Sequence, residues 1–220
     1  MIGVRWKLLV LVIAGAFLTP TMLTTEVASA LSRGDIVFGR VWHPIPQIPE
    51  WHHACLYRGS SYSEDIVQSD PHFEKWTPLE KLYWLLGLWD ALQNSLNSRG
   101  VGGVEFTTLS KIHEDYDKVA YGEVMVCPEI KKKAVKFAEG KVGRHFDIVS
   151  YWKYKTKQVE GPADHYSGWY YCAELVWASY RKHGIPLDPY DEPNDHRVYP
   201  REIYHNEEFV RIIYDEGIGW

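Results

Sequence analysis

The sequence predicts an α+β fold, a small antiparallel sheet or half-barrel of short strands packed against helices. Three observations carry this. Short β-type runs separated by turn signals fill residues 34–70. Residues 129–140 and 172–183 have apolar groups at helical spacing and stop at a glycine. With 220 residues, 45% of them hydrophobic, the chain buries one sizeable core, so one main domain is expected over residues 31–220.

The first thirty residues read as an export signal. Arg5 and Lys7 are a short positive start, residues 8–18 form an uncharged apolar run, and Ala28-Ser29-Ala30 places small residues at both cleavage-determining positions. The expectation is a signal peptide cut after Ala30. The alternative, a retained N-terminal anchor, has an apolar run shorter than the roughly 20 residues that span a bilayer. Either way the domain is expected to be extracellular or in the cell envelope.

In the domain, residues 34–38 follow a Gly-Asp turn and give the first strand. A proline-rich loop precedes residues 51–57, and residues 65–68 end at Asp70-Pro71, so a meander of short antiparallel strands is expected. Residues 74–97 change to helical spacing, with Thr77-Pro78 as N-cap and first-turn pair. They are read as one helix within an insertion of about residues 73–99. Its Leu, Tyr and Trp face either packs on the sheet or serves as a lid or membrane contact. Residues 103–106 and 123–127 read as further strands separated by a polar stretch, residues 151–169 as an aromatic loop, and residues 209–214 as the last strand.

Composition narrows the function. The net charge of −5 and the absence of any long Lys/Arg block exclude a phosphate-backbone footprint, so no nucleic-acid partner is expected. Ten Trp, fifteen Tyr and seven Phe exceed the needs of an ordinary core, which points to a groove or a membrane or envelope contact. No HExxH or paired-cysteine spacing is present, so neither a metal nor a cofactor is expected. Three cysteines leave at least one thiol unpaired. Cys172 is the candidate for it, and Cys55 and Cys127, both in strand-like runs, are candidates for a disulfide.

Cys172 stands where an aromatic loop turns into an amphipathic helix. First-turn N–H groups and the helix dipole favour a thiolate and can receive an oxyanion, so Cys172 is expected to be thiolate-rich at neutral pH. A nucleophilic cysteine also needs a base, commonly a histidine brought close by the fold. Of ten histidines, only His52 and His53 lie in a strongly strand-like run. Alternation puts His52 on a face with Ala54 and Leu56, and His53 on a face with Cys55 and Tyr57, so only one of them can serve.

These residues resemble a known family, the circularly permuted NlpC-like papain-fold enzymes of the YiiX/YaeF type. Its Gly-Asp-Ile-Val-Phe start is similar to residues 34–38, and its His-Ala-Gly-Ile-Tyr strand to residues 53–57. Its Val-Glu-Ala strand resembles Val67-Gln68-Ser69, and its late Tyr-Cys-Ser-Glu-Leu-Val block resembles residues 171–176. Gly-x-x-Tyr-Asp and Val-Thr-Pro-Asp-Asp-Leu correspond to residues 143–147 and 198–203. The resemblance implies a papain-like fold and a cysteine amidase or peptidase, with Cys172 as nucleophile, His53 rather than His52 as base, and Gln68 orienting the imidazole. Two departures stand out: Gln68 replaces the usual Glu, and Cys55 replaces a glycine. The implied substrate is a peptide, another amide-bearing molecule or an acyl donor. Relatives of this fold include lipid acyltransferases and phospholipases, and a non-catalytic groove-binding module is a further alternative.

Overall fold

The computed structural model describes residues 30–41, 51–150, 168–189 and 197–217. The chain divides into two units, Met1–Leu31 and Ser32–Trp220, and the fold below belongs to the second. The expected signal peptide and most of the aromatic loop lie outside the described residues.

A six-stranded antiparallel sheet carries the unit. Its strands are β1 (Ile36–Arg40), β2 (His53–Tyr57), β3 (Ile66–Asp70), β4 (Gly103–Thr107), β5 (Lys118–Val124) and β6 (Val210–Asp215), in the order β4-β3-β2-β1-β5-β6. The expected meander is β1-β2-β3, to which β4 adds on the β3 side. The described helices are α1 (Pro78–Leu85), α2 (Trp89–Arg99), α3 (Leu109–Asp115), α4 (Pro128–Glu139), α5 (Cys172–Arg181) and α6 (Pro200–Tyr204). The molecule is thus an α+β fold with an antiparallel sheet against helices.

Strand alternation sorts the side chains. Ile36 and Phe38 of β1, Ala54 and Leu56 of β2, Val67 of β3 and Ala120 and Val124 of β5 join one buried apolar cluster with α4 and α5. α5 is buried from Cys172 to Tyr180, as expected of a helix laid along the sheet centre. The other parity, with Val37, Gly39, His53, Cys55, Gln68 and Tyr121, faces the opposite side. A buried polar joint closes one end of the core: the Asp35 carboxylate accepts from Lys131 Nζ at 2.7 Å, Val124 N at 3.2 Å and Ser32 N at 2.7 Å.

Residues 74–97 are not one helix. A 3₁₀ turn (Phe73–Lys75) precedes α1, and Gly87, in a left-handed conformation at φ 68°, separates α1 from α2. The Thr77-Pro78 start is as read: Glu80 N donates to Thr77 Oγ1 at 3.2 Å and Thr77 N to Glu80 Oε2 at 2.7 Å, a reciprocal capping box. The two helices part company in packing. Leu79, Leu82, Leu85 and Leu86 are exposed, Leu85 at 71%. Leu92 and Leu96 of α2 belong to the core, and Gln93 donates to Phe146 O and accepts from Ile148 N, both at 2.8 Å. α1 thus exposes its leucines and packs Tyr83 against the core, whereas α2 contributes Leu92 and Leu96 to the core itself.

Three further differences follow. The fifth strand is Lys118–Val124 rather than 123–127, and Cys127 is the N-cap of α4, with Pro128 in its first turn. The candidate Cys55–Cys127 disulfide is absent: Cys55 is buried on β2, Cys127 is exposed, and all three cysteines are free. The polar stretch 108–117 contains α3, whose N-cap Thr108 accepts from Lys111 N and which buries only Leu109 and Ile112.

Candidate active site

Antiparallel pairing between β2 and β3 runs through Leu56↔Val67 and Tyr57↔Ile66 only. Beyond those pairs, toward His53 on one strand and Asp70 on the other, the start of α5 enters beside the strands. Tyr170 O accepts from Ser69 Oγ at 2.5 Å and from Asp147 N at 3.3 Å, and residues 146 and 170 form a parallel bridge. Tyr171 then caps α5, its N–H donating to Glu174 Oε2 at 3.3 Å, while its hydroxyl accepts from Val198 N at 3.1 Å. Four of the sequence blocks that carry the resemblance thus meet at the entry to α5.

Cys172 is the first residue of α5. Its Sγ donates to His52 O at 3.7 Å and receives backbone N–H groups of Ala173, Ala54 and Cys172 itself. The sulfur therefore sits against β2 between the peptide groups on either side of His53. The helix N-terminus acts as expected on the sulfur, but burial outweighs it: desolvation pushes the thiol up to about 11, against the lowering by those three N–H groups. The expectation of a thiolate-rich Cys172 is thereby corrected, because desolvation at the sulfur outweighs what the three N–H groups return.

His53 is buried on the face opposite Ala54, and its Nε2 lies 2.8 Å from Gln68 Oε1. Its ring stacks on Tyr116 at 5.1 Å between centroids and 17° between planes. That stacking explains Gly39, the register partner of His53 on β1: a Cβ at Gly39 would lie 2.6 Å from the Tyr116 ring. Burial lowers the His53 pKa, opposed by the Asp70 charge and by the Gln68 hydrogen bond. Burial thus works against the charged form of both groups.

Of the three residues expected from the sequence, His53 on β2 and Gln68 on β3 are in side-chain contact, and the Cys172 sulfur at the helix start lies against the backbone on either side of His53. Cys55 shares the face of His53 and donates to Val37 O at 3.4 Å. Burial pushes the Cys55 thiol well up, and charge on Cys172 adds to it. Three contributors went unread in the sequence. Tyr116 covers the imidazole. Glu105, opposite Gln68 in the β3–β4 register, accepts from Gln68 Nε2 at 3.2 Å. His72 Nε2 reaches Glu105 Oε2 at 2.9 Å. The signal for Glu105 was the strand already expected at residues 103–106, whose alternation puts residues 103 and 105 on one face.

The chain matches no protein-family model, no curated protein and no solved structure. Among the described residues no His/Cys/Asp/Glu cluster has the arrangement of a metal site, and no helix is long and apolar enough to cross a membrane.

Proposed function

We propose that this protein is a thiol hydrolase of the permuted papain-like kind, acting from the extracellular space or cell envelope on an amide bond through an acyl-enzyme. One observation carries the reading: a cysteine sulfur at a helix N-terminus, met by backbone N–H groups, lies against the strand segment that bears a buried histidine held by a glutamine amide. In the resting site both partners are neutral. As the sulfur attacks the substrate carbonyl, His53 takes the thiol proton as general base. The Cys172 N–H stabilises the oxyanion, and His53 then gives the proton to the leaving amine. Water, activated by the same imidazole, releases the acyl group and restores the thiol. Gln68 keeps the ring aimed and accepts its Nε2–H, as an amide does in Cys-His-Asn sites.

A second reading, a lipid-directed acyltransferase or phospholipase on the same machinery, is favoured by the exposed leucines of α1 and by a groove of about 320 Å³ lined by Phe73, Trp76, Lys81, Trp84 and Leu85. It differs in the bond broken, an ester rather than an amide.

The test is hydrolysis of peptide-amide and acyl-ester panels by the purified protein, with Cys172→Ala as control. Loss of turnover in the Cys172→Ala variant supports the reading, and the panel that responds selects between the two substrates. Turnover equal in both proteins, or none on either panel together with no His53-dependent Cys172 reactivity, sinks it and favours a groove-binding module. His53→Ala is expected to lower activity about 10²- to 10⁴-fold with the fold intact, and His52→Ala far less.

A further inference from the structure

The glutamine that orients His53 is itself ambiguous, because an amide presents a donor and an acceptor that exchange places by a flip. Only one of its orientations leaves His53 with an Nε2–H and a free Nδ1 lone pair. Glu105 removes the ambiguity. A carboxylate accepts and does not donate, so the Gln68 NH₂ must face Glu105 Oε1 at 3.2 Å, which turns Gln68 Oε1 toward His53 Nε2 at 2.8 Å. Glu105 is in turn held by His72, whose Nε2 lies 2.9 Å from Glu105 Oε2 and whose Nδ1 lies 3.1 Å from Glu74 Oε1. His72 N donates to Asp70 Oδ1 at 2.6 Å. His72 is the only non-glycine at positive φ (52°) among the described residues, a conformation that costs free energy unless its surroundings hold it.

We propose that Glu105 and His72 are positioning residues that set the tautomer of His53 through the Gln68 amide, and that Glu105 supplies, one side chain removed, the negative charge a directly bonded carboxylate would provide. The catalytic consequence rests on the thiol-hydrolase reading, whereas the tautomer assignment does not. Electrostatics agree with the geometry. The Glu105 hydrogen bond and charge, with Asp70, raise the His72 pKa against burial and Lys75. Glu105 is pulled below its ordinary value by the His72 and Gln68 hydrogen bonds despite burial, and so is ionised at neutral pH. The charge of Glu105 is also among those that favour protonation of His53.

The experiment is ¹⁵N NMR of histidine-labelled protein at neutral pH, with His53 assigned by its loss in His53→Asn. The wild type should show His53 as the Nε2–H tautomer alone. Glu105→Leu should convert it to a tautomer mixture, and Glu105→Gln, whose own amide can flip and donate to Gln68 Oε1, should do so as well. Equal melting temperatures for the two variants separate positioning from damage to the sheet edge. A His53 signal unchanged by Glu105→Leu overturns the proposal. A tautomer shift supports it even where Cys172→Ala shows that no thiol chemistry occurs, so failure of this proposal and failure of the hydrolase reading are told apart.

Discussion

A buried thiol next to a buried imidazole has two resting states, a neutral pair or an ion pair, and here burial acts against charge on both partners. It raises Cys172 to about 11 and lowers His53. The sign of the consequence follows. Alkylation needs thiolate, so its rate on Cys172 should climb continuously from pH 7 to above pH 10, with no plateau at the acid end. Iodoacetamide labelling across pH, read by mass spectrometry at Cys172, checks this. A plateau below pH 7 would mean a preformed thiolate–imidazolium pair. At this scale the sequence was legible where chemistry is local. Cys172 is the first residue of a helix, and His53 on its strand face meets Gln68, both as local pattern suggests. What was not legible depends on solvation and register. Whether three N–H groups or desolvation wins at the sulfur is decided by how deeply α5 is buried. That Glu105 stands opposite Gln68 is decided by a strand pairing across 37 residues.

Over residues 74–97 the apolar pattern alone promised one amphipathic helix, and the structure gives two with different fates. Gly87 breaks the run, after which Leu92 and Leu96 turn inward while Leu85 and Leu86 stay in solvent. Periodicity reports that a face exists, and the partner of that face is a tertiary fact. α3 was missed for the opposite reason: seven residues with two buried apolar groups leave too little pattern to rise above a charged stretch. The fifth strand was displaced because Gly122 interrupts its run, making 123–127 look the stronger strand. The division between α1 and α2 predicts a contrast. Leu92→Ala should cost about 2–5 kcal/mol, because it opens a cavity in the core. Leu85→Ser should stay within about 0.5 kcal/mol. Urea unfolding of both variants decides it, and equal destabilisation would place α1 in the core as well.

Across the whole unit, the site is made by topology rather than by any one segment. Gly39, His53, Gln68, Glu105, Tyr116 and Cys172 come from four strands, a turn and a helix start, so no local piece can hold the sulfur against β2 alone. The Asp35 joint ties the beginning of β1, the end of β5 and α4 at a point fully inside the protein. Replacing Lys131 with Met removes the cation and leaves an uncompensated buried carboxylate, a change that costs about 3–5 kcal/mol. If the unit unfolds as one, that loss should appear equally in two readouts: the urea midpoint of far-UV circular dichroism, and the urea concentration at which Cys55, fully buried on β2, becomes rapidly alkylated. Both should shift down together in Lys131→Met. The joint touches none of the site residues, so parallel shifts mean that exposure of the Cys55 thiol requires global unfolding. A Cys55 that opens at unchanged, lower urea in both proteins would instead show that β2 is uncovered on its own.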